Sequence, residues 1–177
     1  MAARSPVNDQ RQARPAIRPL QAADRPALTR MYDEFRPRRA ANGLPPDEPR
    51  RLNQWLDDVV ARGQHLVAQT TEGDIVGHVL LVPVEHQTTE LAIFVDHRYR
   101  GRGLGTALNR AALDLARRAG WRRVWLCVDP SNRAAIRSYR KAGFVAAPGT
   151  EWAPEIEMVH DFDHTAAALS AIGRPNA

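Results

Sequence analysis

The sequence predicts a mixed α/β (α+β) fold, with a mostly antiparallel central sheet of about seven strands flanked by about four helices. Three observations predict it. Three segments of strand-like alternation follow one another between His65 and Val95 with only short connections, the pattern of an antiparallel meander. Helical periodicity stands before and after that run rather than between its members. A further apolar run, Arg123–Val128, lies between two helical segments. At 177 residues and 44% apolar content the chain can bury one real core.

The elements follow in order. Residues 1–15 are polar, carry prolines and lack periodicity, so they read as a disordered arm. The folded domain is expected over 16–162, and residues 163–177 form a loosely attached tail. Ala16–Leu20 is a short strand that Pro19 confines to an edge or a strand end. Leu28, Met31, Tyr32 and Phe35 recur at helical spacing within Ala23–Phe35, and Pro37 stops that helix. A proline-rich basic loop, 36–49, leads to a second helix that opens around Asp47 with acidic residues in its first turn. It runs through Leu52, Trp55, Leu56, Val59 and Val60 to Gly63.

His65–Thr70 and Ile75–Val84 make a hairpin around Glu72-Gly73-Asp74, and Thr88–Val95 is the third strand of the meander. After Arg100 a glycine-rich turn enters a helix whose buried stripe is Leu104, Leu108, Ala111, Ala112, Leu115 and Ala119, closed by Gly120. Arg123–Val128 is apolar almost throughout, as a central strand covered on both faces would be. Asp129–Asn132 supplies a turn and a cap, Arg133–Ala142 a short helix, and Gly143 its stop. Phe144-Val145 begins another strand, and Ile156–Phe162 is the last.

Composition narrows the function classes. No run of about 18 apolar residues exists to cross a membrane, and the charged N-terminus has no apolar stretch behind it as a secretory signal would. Cys127 is the only cysteine, so an internal disulfide is excluded, and a buried small hydrophobe is its simplest reading. A cytoplasmic protein is expected. His65, His78, His86, His97, His160 and His164 show no ligand spacing, which argues against a metal site. His78 reads as a satisfied sheet histidine.

Net charge is +5, with 24 arginines against one lysine, Lys141, and its distribution is uneven. Residues 98–141 alone carry +10, a candidate surface for a polyanion or a phosphorylated ligand. At the start of that block stands Arg100-Gly101-Arg102-Gly103-Leu104-Gly105, between a strand and a helix. Alternate glycines let a ligand approach the backbone, and the helix N-terminus aims unpaired N–H groups at it. A diphosphate suits that arrangement. The dinucleotide fingerprint fails on its glycine spacing and on the missing acidic residue, and GK[ST] of the P-loop is absent.

The stretch Arg100–Gly105 resembles the Q/R-x-x-G-x-G/A motif of the GCN5-related N-acetyltransferase (GNAT) superfamily. Upstream, Glu90–Tyr99 is similar to the strand that leads into that loop. Downstream, Asn132–Phe144 resembles the second signature, N-x-x-A-x-x-x-Y-x-x-x-G-F. The likeness covers about residues 17–162. It implies acetyl-CoA as co-substrate, with no metal, and a primary amine of a small molecule or peptide as acceptor, attacking directly in a ternary complex. The amides of Arg100, Gly101, Arg102, Gly103, Leu104, Gly105 and Thr106 would hold the pyrophosphate. Phe94 and Val95 would pair their backbone with the pantetheine arm, and Asn132 would bond the cofactor near its thioester. Tyr139 matches the general acid that protonates the departing thiolate. Glu90 stands where some members place a base, with water-mediated deprotonation as the alternative. Dimers are frequent in the family, so a homodimer is admitted.

The acceptor stays open. Arg36, Arg38 and Arg39 would favour an acidic one; Asp57, Asp58, Glu151, Glu155 and Glu157 a cationic one. Trp55 and Trp152 stand where they could contact it, although packing is their simpler role. Two other classes compete with the enzyme. A non-catalytic acyl-CoA-binding module on the same fold would keep the glycine loop and lose the acid, and Tyr139 argues against it. A nucleic-acid-binding domain would interleave exposed aromatics among its arginines, whereas aromatic content is 6% and the arginines gather at an anion loop.

Overall fold

In the computed structural model the described residues are 14–36, 45–46, 48–150 and 153–162. The strands are β1 (Ala16–Pro19), β2 (Gln64–Gln69), β3 (Ile75–Glu85), β4 (Thr88–Val95), β5 (Arg123–Val128), β6 (Val145–Ala146) and β7 (Ile156–Asp161). The helices are α1 (Arg25–Asp33), α2 (Pro49–Val60), α3 (Leu104–Arg118) and α4 (Arg133–Ala142). One seven-stranded sheet runs in the order β1-β2-β3-β4-β5-β7-β6, and β4–β5 is its single parallel pair. β1 is an edge strand with Pro19 at its end, where a missing N–H does least harm.

Two apolar clusters sandwich the sheet. On one face α3 buries Leu104, Leu108, Ala112, Leu113 and Ala116, and α4 buries Tyr139, against Leu66, Val79, Leu91, Val124 and Met158. Gly77 of β3 allows the close approach, since a Cβ there would stand 2.7 Å from Leu108 Cδ1. On the other face α1 and α2 pack Leu28, Met31, Tyr32, Phe35, Leu52 and Leu56 against Val67, Leu80 and Phe94. β4 is shared between them: Leu91, Ile93 and Val95 turn to α3, and Ala92 and Phe94 turn to α1.

Several expectations need correction. α2 opens at Pro49 with Glu48 as its cap residue and no acidic residue in its first turn; a proline at N1 starts the helix without needing a side-chain cap. Asp47, Arg38, Arg39, Glu151, Trp152, His164, the first 13 residues and the tail 163–177 lie outside the described residues. The stripe of α3 is rotated: Asn109, Leu113 and Ala116 are buried, while Ala119 is exposed beyond the helix end. A 3-10 turn at His97–Tyr99, unforeseen, separates β4 from the glycine loop.

The largest correction concerns β5. Val124, Leu126 and Val128 are buried, but Arg123 and Cys127 are exposed, so only one face of this strand is covered. The physical reason is the reach of α1 and α2, whose apolar cluster takes residues from β2, β3 and β4 and none from β5. Partial burial first, and then the carboxylates of Glu155, Glu157 and Glu90, push the Cys127 thiol above its usual pKa. That side chain is therefore a protonated thiol at neutral pH.

Under α1 lies a buried polar chain. The Tyr32 hydroxyl is 2.7 Å from His78 Nδ1, and His78 Nε2 is 3.1 Å from His65 Nδ1. His78 is thus satisfied on both nitrogens, as a sheet histidine should be. Burial, reinforced by neighbouring His65, holds its pKa down at about 3. The unfolded chain binds a proton near pH 6.5 and the native chain does not, so stability is complete above that pH and is lost on acidification. Between pH 7 and pH 5 the unfolding free energy should fall by about 2 kcal/mol from this residue. Tyr32 and His65 are the titratable groups that face it, and burial lowers the His65 pKa in the same direction. Urea unfolding at both pH values checks this: the slope should flatten in His78→Gln, and an unchanged slope would contradict it.

Candidate active site

The site begins with a parting of two strands. β4 and β5 pair only from Thr88 to Glu90 with Arg123 to Trp125, although both continue, β4 to Val95 and β5 to Val128. Beyond Glu90 the edge of β4 faces a gap. The main-chain bond from Asp96 N to Val76 O, at 3.0 Å, sets the ladder with β3. By the alternation of an antiparallel pair, Phe94 and His78 exchange the next bonds, while Val95 and Ile93 turn their N–H and C=O away from β3. Arg100 Nε, 2.8 Å from Val95 O, demonstrates that this carbonyl is available on the gap side. The two backbone residues expected here are therefore divided. Val95 presents its groups to the gap and Phe94 commits its own to β3. Ile93, which periodicity could not single out, joins Val95.

At the end of β4 the chain makes a glycine-rich turn into α3. Asp96 caps the 3-10 turn by accepting from Arg98 N. Burial works against its charge, yet the Arg98 hydrogen bonds hold its carboxyl below the usual range. Gly101 (φ +73°) and Gly103 (φ +84°) are left-handed, and a Cβ on either would meet nothing within 4 Å. These glycines serve the backbone conformation and leave open space above the loop. Gly103 caps α3, whose first intrahelical bond is Ala107 N to Gly103 O at 3.0 Å. The amides of Leu104, Gly105 and Thr106 consequently have no intrahelical acceptor, and no acidic side chain in the first turn offsets them. Arg102 reaches back over the Tyr99 ring.

Gly105 differs from its two neighbours: a Cβ there would lie 3.3 Å from Ser138 Oγ. The same hydroxyl is 3.1 Å from Thr106 Oγ1 and accepts from Asn109 Nδ2 at 3.2 Å. These contacts fasten the first turns of α3 to the middle of α4 and so set Tyr139, next to Ser138, relative to the glycine loop. The Tyr139 ring is buried against Phe144, with centroids 5.8 Å apart. Desolvation pushes its pKa up to about 12. Among the described residues its hydroxyl has no hydrogen-bond partner. The sealed and unpartnered side-chain atoms among the described residues are His65 Nε2, Thr89 Oγ1 and Asn109 Oδ1, and the Tyr139 hydroxyl is not one of them. Asn132 is the N-cap of α4, its Oδ1 accepting from Ala135 N at 3.2 Å, with its Nδ2 amide not engaged in that cap.

Glu90 and Tyr139 do not meet. Glu90 shares the sheet face of Ala92 and Phe94, together with Cys127, Glu155 and Glu157, whereas Tyr139 belongs to the α3–α4 side. Trp55 packs edge-on against Tyr32 and Phe94 at 5.3 and 6.0 Å, which fulfils the packing role. Asp57 is tied to Arg25 at 2.6 Å. Among the described residues no group of three His, Cys, Asp or Glu is placed to hold a metal ion, and no helix is long and apolar enough to cross a membrane.

Comparisons with known proteins bear on the family and the fold. L-methionine sulfoximine/L-methionine sulfone acetyltransferase of Pseudomonas aeruginosa is 29% identical over 137 residues, 73% of this chain and 79% of that protein. Mycothiol acetyltransferase of Sanguibacter keddieii is 35% identical over 119 residues, 63% of this chain and 35% of that protein. An N-acetyltransferase of Methanocaldococcus jannaschii is 48% identical over 52 residues, 29% of this chain and 23% of its own length. The chain thus spans about a third or less of the length of these last two relatives. Among solved structures, phosphinothricin acetyltransferase of Sinorhizobium meliloti in complex with AcCoA superposes with a TM-score of 0.68 at 18% identity, covering 84% of this chain and 88% of that one. Ribosomal-protein-alanine N-acetyltransferase of Brucella melitensis gives 0.68 at 23% identity, covering 83% and 99%. At those identities the likeness speaks for the fold. The model of the Acetyltransferase (GNAT) family matches residues 27–144, which takes in the strand gap, the glycine loop and the tyrosine helix, and the chain belongs to that family.

Proposed function

We propose that the protein is an N-acetyltransferase that transfers the acetyl group of acetyl-CoA to a primary amine of a small molecule or peptide, by direct attack in a ternary complex. The observation that carries the reading is the gap between β4 and β5, with the unpaired amides of α3 at its mouth. An extended arm carrying amides can add to the free edge of β4 at Ile93 and Val95 as a peptide strand adds to a sheet. A diphosphate at the far end of that arm meets the amides of Gly103–Thr106, and the surrounding arginines complement its charge. The family's use of acetyl-CoA, and the AcCoA complex of a structural neighbour, support the choice of donor.

In this reading the residues divide the chemistry. The Ile93 and Val95 main chain holds the arm and orients the thioester. Asn132 Nδ2 bonds the cofactor near that group. Glu90, on the opposite sheet face, takes the proton of the incoming ammonium directly or through water, and the neutral amine attacks the carbonyl carbon. Tyr139, whose high pKa keeps its proton in place at neutral pH, donates a hydrogen bond to the sulfur as the C–S bond breaks, and the proton that the attacking nitrogen sheds as the amide forms passes to that thiolate, which leaves as the thiol. The relative named for acetylating methionine sulfoximine and methionine sulfone supports a small amine as acceptor. The reading carries with it the expectation of a cytoplasmic enzyme without a metal. A homodimer is compatible with it.

A thermal-shift series with acetyl-CoA tests the reading. At a hundredfold excess over the dissociation constant the native state should gain about 2.7 kcal/mol, which raises Tm by several degrees. Thiol release across polyamines, amino acids, aminoglycosides and peptide N-termini then identifies the acceptor. No shift with acetyl-CoA beside a clear shift with DNA would overturn the enzyme in favour of a basic nucleic-acid-binding domain. A shift without thiol release on any amine would favour a non-catalytic acyl-CoA-binding module.

A further inference from the structure

We propose that Arg100 is a latch on the pantetheine seat, an internal competitor that must leave the Val95 carbonyl before the arm of acetyl-CoA can settle on the edge of β4. The proposal rests on the acetyl-CoA reading above and adds a positioning role to the side chain of a residue whose main chain belongs to the anion loop. Three features carry it. Arg100 Nε donates to Val95 O at 2.8 Å, bending back across five residues to take a carbonyl that faces the gap. Its guanidinium carbon lies 5.1 Å from the centre of the Phe35 ring, so a cation–π contact holds the head in place. Phe35 is itself fixed, buried beside Tyr32 and Phe94.

The latch also ties the loop to α1. Arg98, two residues earlier, pairs with Asp96 at 2.6 Å and with Glu34 at 2.9 Å, and Glu34 directly follows α1. Arg98 and Arg100 therefore hold Glu34 and Phe35 from the same loop. The Arg98 link ends on the carboxylates of Asp96 and Glu34, whereas the Arg100 link takes the Val95 carbonyl. Burial takes the Arg100 guanidinium partly out of water and lowers its pKa, the mark of a head lodged against the protein rather than extended into solvent. An arriving amide N–H competes with that guanidinium for the same oxygen. Once displaced, the Arg100 head is free to turn toward the phosphates. A side chain that only served the phosphates would not need the Val95 carbonyl.

These two roles have opposite consequences for a ligand without phosphates, and this supplies the test. S-acetyl-pantetheine carries the arm and the thioester but no phosphate. In Arg100→Met the aliphatic stem still covers Phe35, while the donor to Val95 is gone. This variant should bind S-acetyl-pantetheine about three- to tenfold more tightly than the unaltered chain, the range expected for removing one competing hydrogen bond. Where binding does not saturate, the initial slopes of the titrations give the same ratio. Phe35→Leu, which removes the perch and keeps the arginine, should tighten binding in the same direction by a smaller factor. Equal or weaker binding in Arg100→Met overturns the latch, provided its melting curve matches the unaltered protein. Acetyl-CoA titrated into the unaltered protein separates the two readings: no binding there removes the acetyl-CoA reading itself, while binding there with no gain in Arg100→Met removes the latch alone.

Discussion

Tyr139→Phe should lower kcat about a hundredfold or more and leave the affinity for acetyl-CoA within a factor of two, in keeping with the usual worth of a positioned proton donor. The ring keeps its place against Phe144 because phenylalanine fills the same space. The hydroxyl makes no hydrogen bond among the described residues, so its removal leaves no buried partner orphaned, and stability should hold or rise slightly. That separation of effects is what distinguishes an acid from a core aromatic. With the tyrosine pKa near 12, turnover should climb with pH as the acceptor amine loses its proton, and Tyr139 should set no downturn below about pH 11. Single-turnover kinetics beside a cofactor titration measure both quantities. An unchanged kcat would leave Tyr139 a packing residue.

Gly103→Val should reduce acetyl-CoA affinity by at least a hundredfold. The residue caps α3 at φ +84°, and the space a Cβ would enter is open in the structure. A branched side chain would project into the volume above the loop, where a phosphate must come within hydrogen-bond distance of the Leu104, Gly105 and Thr106 amides. It would also strain the left-handed backbone, and that part of the effect has an internal control. Gly120, just beyond the end of α3, has φ +83° and equally open surroundings. Gly120→Val should therefore lose about the same stability, 1–2 kcal/mol, and keep normal cofactor binding. Equal binding losses in both variants would mean that backbone strain, not a blocked approach, explains the Gly103 result.

How much of this was legible in the sequence depends on what each feature encodes. The hairpin, the third meander strand, α4 and its caps Asn132 and Gly143 were readable because side-chain periodicity and turn chemistry are local. The glycine loop was readable because its residues are needed for main-chain geometry at that place. Exposure of Cys127 was not, since an apolar strand does not reveal how far α1 and α2 extend over the sheet. The exchange of Phe94 for Ile93 was hidden for a related reason. Alternation shows which side chains share a face, but only the register against β3 decides which main-chain groups point into the gap. The Arg100 contact with Val95 and Phe35 depends on the 3-10 turn between β4 and the loop, which no periodic pattern announces.

A crystal structure with acetyl-CoA bound measures the central claim most directly. The account predicts the pyrophosphate within hydrogen-bond distance of the amides between Gly103 and Thr106, the pantetheine paired to Ile93 and Val95, and the sulfur beside the Tyr139 hydroxyl. A cofactor that left those amides unoccupied, or lay on another part of the sheet, would contradict it.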